Sequence, residues 1–414
     1  MADKQTVSNL ADVMKECFPS DRLEKQFYDE QRFLNRIKKT SKFTHGKKAV
    51  VPLHKGRSGG SSVRSSAGGT LNGADKQKVD RAEWTVPYNY QEVEIEVAAI
   101  NEAAGGGFSV GTAVNLEVDG ALSDIRNQAL RQFLGDGSGF IAACDTGGAA
   151  TTVELLATGY GYDAIVRGQL YPGLPVDIGS TANPTSIVAK SVITAVKEDA
   201  TDPDITIGSS VSTTSGTDFV SLAGSRSGST SFESDGLRNM FASNTSASGG
   251  LDPDNAGEEF WKPAHVDSTT TSLSLNLLLT LQRKVNQKVG KPNGYVLMGL
   301  YQQANLYELL QNQARFTTDQ LAAGNVEGVK WNQMELDALP EVPDREVYFL
   351  TLDDLAIVQG AKITQPSWMS SFQGANTAML WKQGSTSFVD ALVYPIGLAM
   401  KRRNGGASAI ALTD

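Results

Sequence analysis

Residues 46–83 read GKKAVVPLHKGRSGGSSVRSSAGGTLNGADKQKVDRAE. This stretch, the basic arm, carries a net charge of +5, whereas the whole chain carries −9, which leaves −14 for the other residues. Its β-prone ends and its glycine- and serine-rich middle predict a long two-stranded excursion with few apolar residues to bury. An isolated hairpin is marginal in water. We therefore expect that a second, acidic copy of the chain orders this arm.

Composition indicates a folded protein with a core. The 414 residues are 40% hydrophobic and 20% charged, and the length is enough for two or three domains. No apolar run approaches a membrane span, and the N-terminus lacks the features of a signal peptide. Cys17 and Cys144 are expected to be buried free thiols. The acidic balance argues against a dedicated nucleic-acid-binding protein, but not against a container for DNA.

Periodicity organises the first third of the chain. After Ser20-Asp21, apolar residues at three- and four-residue steps predict an amphipathic helix of about 18 residues. Residues 86–100 alternate, with Glu92, Glu94 and Glu96 on one side, which predicts a strand with one wet face. Residues 110–134 predict the strongest helix, because an apolar stripe runs along its whole length. GDGSG at 135–139 predicts its end.

Residues 152–235 change character. Valine, isoleucine and threonine become more frequent, and turn signals recur at short intervals. This pattern predicts an inserted domain that is a small all-β barrel or sandwich. The candidate strands are Ala164–Val166, Pro175–Ile178, Ile187–Val196, Ile205–Ile207 and Asp218–Leu222.

The remaining residues predict a layered α/β unit. A polar loop at 236–262 has four apolar anchors: Leu237, Met240, Phe241 and Trp261. Predicted helices at 273–289 and 302–316 alternate with predicted strands. The strands are Gly294–Leu300, Val326–Leu336, Glu346–Leu350, Thr377–Trp381, Ser387–Tyr394 and Leu398–Arg402.

This order of elements resembles the tailed-bacteriophage major capsid protein family, whose Hong Kong 97-type fold encapsulins share. The resemblance rests on GRSGG (56–60) and SAGGTL (66–71) in the arm, on the helix at 110–134 with its GDGSG stop, and on YPIGLAMKRRNGG (394–406). It implies an α+β Hong Kong 97-type capsid fold with an extended E-loop, a long spine helix, a layered axial domain and an inserted small β domain.

The resemblance also implies a domain organisation. The block at 152–235 departs from the minimal family pattern, although inserted β domains occur in several relatives. The expected segments are an N-terminal arm with a short helix (1–45), the E-loop (46–95), the peripheral domain (96–151) with the spine helix (110–134), the inserted β-barrel or sandwich domain (152–235), the axial domain (236–375) and the return strands of the peripheral domain (376–414).

The function implied by the resemblance is structural. The chain is expected to self-assemble into hexamers and pentamers of an icosahedral virion shell around double-stranded DNA, after synthesis in the host cytoplasm. Expected partners are other copies, a separate scaffolding protein, a portal, a decoration or minor capsid protein, and DNA through weak non-specific contact, with no membrane. Two alternatives stay open, namely an encapsulin-like nanocompartment and, less favoured, a β-rich phage adhesin.

The arm supplies the expected intersubunit contacts. Lys55, Arg57 and Arg64 are the foremost candidates for ion pairs with a neighbour, and individual exposed pairs contribute little unless they repeat over a lattice. The full set of candidate contact residues is Lys47, Lys48, Lys55, Arg57, Arg64, Lys76, Lys78 and Arg81.

No residue pattern assembles a catalytic, cofactor or metal site, so we expect no enzyme. The glycine cluster at 135–139 follows a helix instead of opening one, unlike a phosphate loop. Asp353-Asp354 is interpreted as a helix N-terminus before LAIVQG instead of a catalytic pair. KKTSK at 38–42 is either a solvated charge run or a nucleic-acid contact. The histidines lack metal-pair spacing: His45, His54 and His265.

Overall fold

The computed structural model divides the chain into two compact units. Unit 1 lies within 1–36, 86–236 and 359–397, and unit 2 within 37–85, 237–358 and 398–414. The predicted leader and most of the helix after Ser20-Asp21 fall outside the described residues. The structure describes residues 32–45, 48–59, 73, 76–96, 110–157, 160–243, 245–267, 271–289, 294–311, 330–331, 334–360, 363, 366–369, 380–381 and 387–412.

Helices and strands are numbered along the described part of the chain. The helices are α1 (Arg32–Arg36), α2 (Val110–Leu134), α3 (Gly161–Val166), α4 (Leu237–Phe241), α5 (Leu275–Val289) and α6 (Leu300–Gln311). The strands are β1 (Lys39–Thr40), β2 (Thr44–His45), β3 (Lys48–Gly56), β4 (Lys78–Thr85), β5 (Tyr88–Glu96), β6 (Phe140–Ala143), β7 (Gly147–Glu154), β8 (Pro175–Ser180), β9 (Val188–Lys197), β10 (Asp204–Thr213), β11 (Asp218–Leu222), β12 (Arg226–Ser227), β13 (Thr230–Ser231), β14 (Ala264–Asp267), β15 (Tyr295–Met298), β16 (Lys330–Trp331), β17 (Met334–Ala338), β18 (Val347–Leu350), β19 (Leu355–Gln359), β20 (Ser367–Trp368), β21 (Leu380–Trp381), β22 (Ser387–Met400) and β23 (Ala407–Ile410).

Helix α2 is the predicted spine of unit 1 and has the predicted bounds. From residue 119 onward, where its side chains are described, its apolar stripe is largely buried, and the helix packs against β5. Because side chains alternate along a strand, β5 turns Val93 and Ile95 inward and leaves every second residue on its outer side. The buried residues of the helix include Ala121, Ile125, Ala129 and Phe133.

Strand β22 pairs antiparallel with β5, from Ser387 opposite Glu96 to Pro395 opposite Tyr88. It also pairs with β20 and β21. The prediction of two separate strands here is wrong, because β22 continues through Pro395. The ladder survives because Ile396, the next residue, donates its amide to a carbonyl beside β5, although proline itself has no amide hydrogen.

The predicted β domain is a barrel. Its strands follow the order β6-β11-β8-β9-β10-β7. The two ends of that order meet at a bridge between Cys144 and Leu155. Cys144 is a buried free thiol, as predicted, and burial raises its pKa to about 12. The sheet begins at Phe140, so β6 and part of β7 precede residue 152.

One predicted strand of this domain is wrong. Residues Ala164–Val166 belong to helix α3, not to a strand. An apolar run of three residues is too short to show a period. The helix is stabilised by an ion pair one turn apart, between Asp163 and Arg167 at 2.6 Å.

Unit 2 contains a sheet with helices packed on it, and this sheet includes β23, which comes from the segment assigned by the resemblance to the return strands of the peripheral domain. Its mixed sheet has the order β14-β23-β18-β15-β17-β16. Helix α5 packs on β14 and β23. The predicted anchors of the polar loop, Leu237, Met240, Phe241 and Trp261, are all buried.

The predicted helix over LAIVQG is wrong. Leu352–Asp354 form one 3₁₀ turn, and strand β19 follows, with every residue buried. β19 pairs in parallel with β1. A continuous apolar run that is buried on both faces shows neither helical nor strand periodicity, which explains the error.

We expect Ile178→Ala, in the barrel core, to reduce the free energy of unfolding by about 2–5 kcal/mol, because the change leaves a cavity. Ile178 is fully buried in β8. Ser209→Ala, on the exposed side of β10, is the matched control and should change it by less than about 0.5 kcal/mol. Urea unfolding followed by circular dichroism measures both. Equal effects of the two variants would contradict the barrel core described above.

Candidate assembly interface

The basic arm begins as an antiparallel hairpin. Strands β3 and β4 pair from Lys48 opposite Thr85 to Gly56 opposite Lys78, with one irregularity after His54. Strand β2 adds a third strand by pairing with β3. The predicted two-stranded excursion is therefore present, and most of its glycine-rich tip lies outside the described residues.

The expectation that the arm has almost nothing to bury is wrong for its base. Inward-facing side chains of β3 and β4 alternate with exposed ones and are at most 9% exposed. The base is therefore ordered by its own chain, without a second copy. The composition of the arm does not reveal this alternation, because cations occupy many of the positions between the apolar residues. The buried residues are Ala49, Val51, Leu53, Ala82 and Trp84.

Trp84 anchors the hairpin to the loop before β14. Its side chain is 1% exposed, and its ring centroid lies 6.4 Å from that of Trp261. The neighbouring amide of Glu83 donates to the carbonyl of Gly249 at 2.8 Å. Trp261 Nε1 donates to the carbonyl of Ser248 at 2.9 Å. Strand β4 and this loop are therefore joined by apolar contact and by a backbone hydrogen bond, while the Trp261 bond holds the loop to itself.

Gly249 makes the close approach possible. Its φ is +63°, a region that favours glycine. A Cβ at this position would lie 2.8 Å from the Trp84 ring, which is closer than two carbon atoms can pack. Residue 249 is thus restricted to glycine for two reasons: the turn needs a positive φ, and the Trp84 ring leaves no room for a Cβ.

Several predicted contact cations pair within the arm. Lys48 Nζ lies 2.7 Å from Glu83 Oε2, and Arg81 Nε lies 2.9 Å from the other oxygen of that carboxylate. Lys55 Nζ lies 2.7 Å from Asp80 Oδ2. The hydrogen bond with Asp80 raises the pKa of Lys55, and the same bond lowers the pKa of Asp80. Lys48 likewise lowers the pKa of Glu83. The Lys48–Glu83 and Lys55–Asp80 pairs cross from β3 to β4 and tie these strands together, whereas Arg81 and Glu83 both lie on β4.

The other predicted cations lie toward the tip of the arm or outside the residues that the structure describes. Arg57, Lys76 and Lys78 are exposed, and Val79 beside them is an apolar side chain that is 70% exposed. The role of all eight cations as contacts to a neighbour stays a prediction. Two of them fall outside the described residues: Lys47 and Arg64.

Strand β5 presents a surface of opposite charge. Its outward residues begin with Tyr88 and Tyr90, which are 45% and 58% exposed. The acid row, defined as Glu92, Glu94 and Glu96, continues the same face at two-residue spacing. This face thus combines aromatic and acidic groups, and the sequence alternation predicted its wet side.

Sequence reasoning missed the Trp84 anchor. The available signal was the alternation of Ala82 and Trp84 in a charged strand, which indicates a half-buried face. Gly249 could not be found in this way, because its role depends on contact with a strand more than 160 residues earlier. Only the folded chain brings them together.

Several other candidate residues have structural partners. His265 Nδ1 lies 2.9 Å from a buried serine hydroxyl. Asp353 pairs with Lys38 at 2.6 Å, and Asp354 pairs with Arg402 at 2.8 Å. Among the described residues, no group of three or more potential ligands could hold a metal ion. Within the same residues, no helix combines the length and the apolar content of a membrane span.

Comparison with solved structures identifies the fold. The chain overlaps with a subunit of the cyanophage A-1(L) capsid at a TM-score of 0.55 and 12% identity, covering 95% of this chain and 96% of that one. It overlaps with the capsid of a native GTA particle at 0.50 and 8%, covering 99% of both. An encapsulin complex from Synechococcus elongatus gives 0.48 and 7%, covering 97% and 95%.

No protein-family model and no curated protein matches the sequence. The two capsid overlaps nevertheless show that the chain has the Hong Kong 97-type capsid fold, as the order of elements predicted. The encapsulin overlap has a TM-score below 0.5 and carries no argument.

We expect Gly249→Ala to loosen the arm's base more than Gly250→Ala does. Both glycines have positive φ, at 63° and 73°, but a Cβ at Gly250 meets nothing within 4 Å. The shared backbone strain costs about 1–2 kcal/mol in either variant, and overpacking against Trp84 adds about 1–3 kcal/mol at Gly249 alone. Hydrogen exchange of the β3 and β4 amides measures the difference. Equal exchange in both variants would contradict the anchor.

Proposed function

We propose that the chain is the major capsid subunit of a tailed bacteriophage, forming hexamers and pentamers of an icosahedral shell that encloses double-stranded DNA. The observation that carries the proposal is the overlap of 95% of this chain with 96% of a phage capsid subunit. On this proposal the protein is a structural component of the virion, not an enzyme, and it assembles in the host cytoplasm.

The proposed mechanism is geometric. Copies related by rotation make heterologous contacts, which close into rings when the rotation allows. Apolar burial at about 25 cal/mol per Å² would supply most of the adhesion, and charge would set the register. The tip of the basic arm would reach a neighbouring copy. The acid row on β5 supports this step, because it offers opposite charge at the spacing of a strand.

The segments take the roles that the resemblance implies. On this proposal 1–45 is the N-terminal arm, 46–95 the E-loop, 96–151 the peripheral domain, 236–375 the axial domain and 376–414 the return strands. The insert proposed at 152–235 corresponds to the barrel, whose strands extend back to Phe140. The exposed, mixed surface of such an insert fits a decoration or minor capsid protein.

The proposed partners follow from assembly. They are other copies, a separate scaffolding protein, a portal, and DNA held through weak non-specific contact. An encapsulin-like shell with protein cargo is the main alternative. DNA or a cargo protein inside purified particles distinguishes these two, whereas an adhesin would form no shell.

We expect the full chain, expressed alone or with a scaffolding protein, to form capsomers or closed particles. Sedimentation and negative-stain microscopy measure this directly. A stable monomer at high concentration, with no particles under either condition, would contradict the proposed function.

We expect the arm's tip to be necessary for closed shells but not for folding. Replacing residues 57–77 with an Asn-Gly turn keeps β3, β4 and the Trp84 anchor, since Asn-Gly suits a two-residue hairpin loop. The variant should keep the circular dichroism spectrum of the wild type and lose closed particles in micrographs.

A second variant distinguishes the effect of the arm's length from the effect of the charge at its tip. Changing Arg57, Arg64, Lys76 and Lys78 to Gln keeps the arm's length and removes its tip charge. We expect particles at reduced yield, because apolar contacts remain while electrostatic guidance is lost. Normal particles from the shortened arm would show that the tip does not clamp a neighbour.

A further inference from the structure

Unit 2 holds a group of cations outside the basic arm. It lies where the last turns of α5 approach the segment leading into β14. Lys288 Nζ donates to the carbonyl of Lys262 at 2.6 Å and to that of Pro263 at 3.4 Å. Lys284 Nζ donates to the carbonyl of His265 at 3.4 Å. We call Lys262, Lys284 and Lys288 the lysine patch.

The patch concentrates positive charge in an acidic protein. Desolvation of the ammonium group, together with the charges of Lys262, Lys284 and Arg403, lowers the pKa of Lys288. Arg403 is fully buried and donates to the carbonyl of Met240 at 2.5 Å. Like charges held this close cost stability, and an anion bound at the patch would offset that cost.

The patch nevertheless keeps exposed surface. Two carboxylates lie near it. Asp254 Oδ1 is 3.3 Å from Lys262 Nζ, and these two side chains are 55% and 36% exposed. The pKa of Glu259 is lowered by backbone hydrogen bonds and, to a smaller extent, by the charge of Lys262. Lys288 is exposed, as is Arg283 on the same stretch of α5. Backbone carbonyls within residues 262–265 hold two of the ammonium groups, so these charges are fixed close to one short segment.

We propose that the lysine patch binds the phosphate backbone of the packaged double-stranded DNA. This inference rests on the proposed function, because it takes a DNA-filled shell as given. It adds the specific surface that meets the DNA, which is neither the arm nor the 38–42 run that the sequence offered.

The chemistry of the patch favours phosphate over an acidic polypeptide. Ammonium groups are compact point charges with three rotatable donors, so they can contact phosphate oxygens that approach from many directions. Contacts of this type are independent of DNA sequence. A docked polypeptide needs buried apolar anchors. The large exposed apolar side chain on α5, Leu279, lies more than one turn before Lys284.

The test measures how binding of the full chain to a short DNA duplex depends on salt. The plot of log K against log salt has a negative slope. Lys284→Gln/Lys288→Gln should make it shallower by about 1.8, since each lost phosphate contact removes about 0.9 from its magnitude. Lys190→Gln/Lys197→Gln is the matched control, because it removes the same charge from exposed barrel positions. The control should leave the slope unchanged. Fluorescence anisotropy of the labelled duplex gives the affinities.

Three outcomes overturn the proposal. A slope of the patch variant equal to that of the control would mean that the lysines touch no phosphate. Loss of binding to a polyglutamate peptide with an unchanged DNA slope would assign the patch to an acidic polypeptide. A folded patch variant that forms no shells where the wild type does would make the patch a subunit contact. Failure of the wild type itself to assemble would instead count against the proposed function, and micrographs keep the two failures apart.

Discussion

The contact between Trp84 and the Gly249 turn is the constraint on which the arm depends. A hairpin cannot hold a direction unless its base is fixed, and an isolated hairpin is marginal in water. Here the indole is buried against Trp261, and the adjacent backbone is hydrogen-bonded to the turn. Removal of a buried tryptophan typically costs about 3–5 kcal/mol, which is comparable to a large share of a domain's net stability. The anchor is therefore the energetic basis of the protruding arm.

Charge in this chain is arranged in two ways. Near the anchor, Lys48 and Lys55 are matched by carboxylates on the facing strand, and Arg81 pairs with a carboxylate on its own strand, so all three cations contribute to the hairpin itself. Toward the tip, Arg57 and Lys78 are exposed. An arm built in this way is rigid and nearly neutral at its base and remains cationic at its end. That gradient suits contact with an acidic copy, because the repulsion of like charges is confined to the end that would meet a partner.

An element could be predicted from the sequence when one of its faces is buried and the other is exposed, because the apolar residues then show a period. The bounds of α2 were predicted because one face is buried and one is wet, so the period of 3.6 is visible. The alternation in β5 was visible for the same reason. Residues 355–359 were misread because both faces are buried, which erases any period. Residues 164–166 were misread because three apolar residues cannot define one. Two strands were predicted where β22 is continuous, because Pro395 and Gly397 are ordinarily signals of a break.

By itself, the sequence determined the order of elements, the charge contrast between arm and body, and the fold that the order implies. These are local or additive properties, and a linear chain displays them directly. The tertiary structure alone decided that the arm's base has its own core, that the barrel closes between Cys144 and Leu155, and that lysines from α5 are held close to residues 262–265. Each of these depends on contacts between residues distant in sequence, whose pairing is chosen by packing and hydrogen bonding in the folded chain and not by any local pattern.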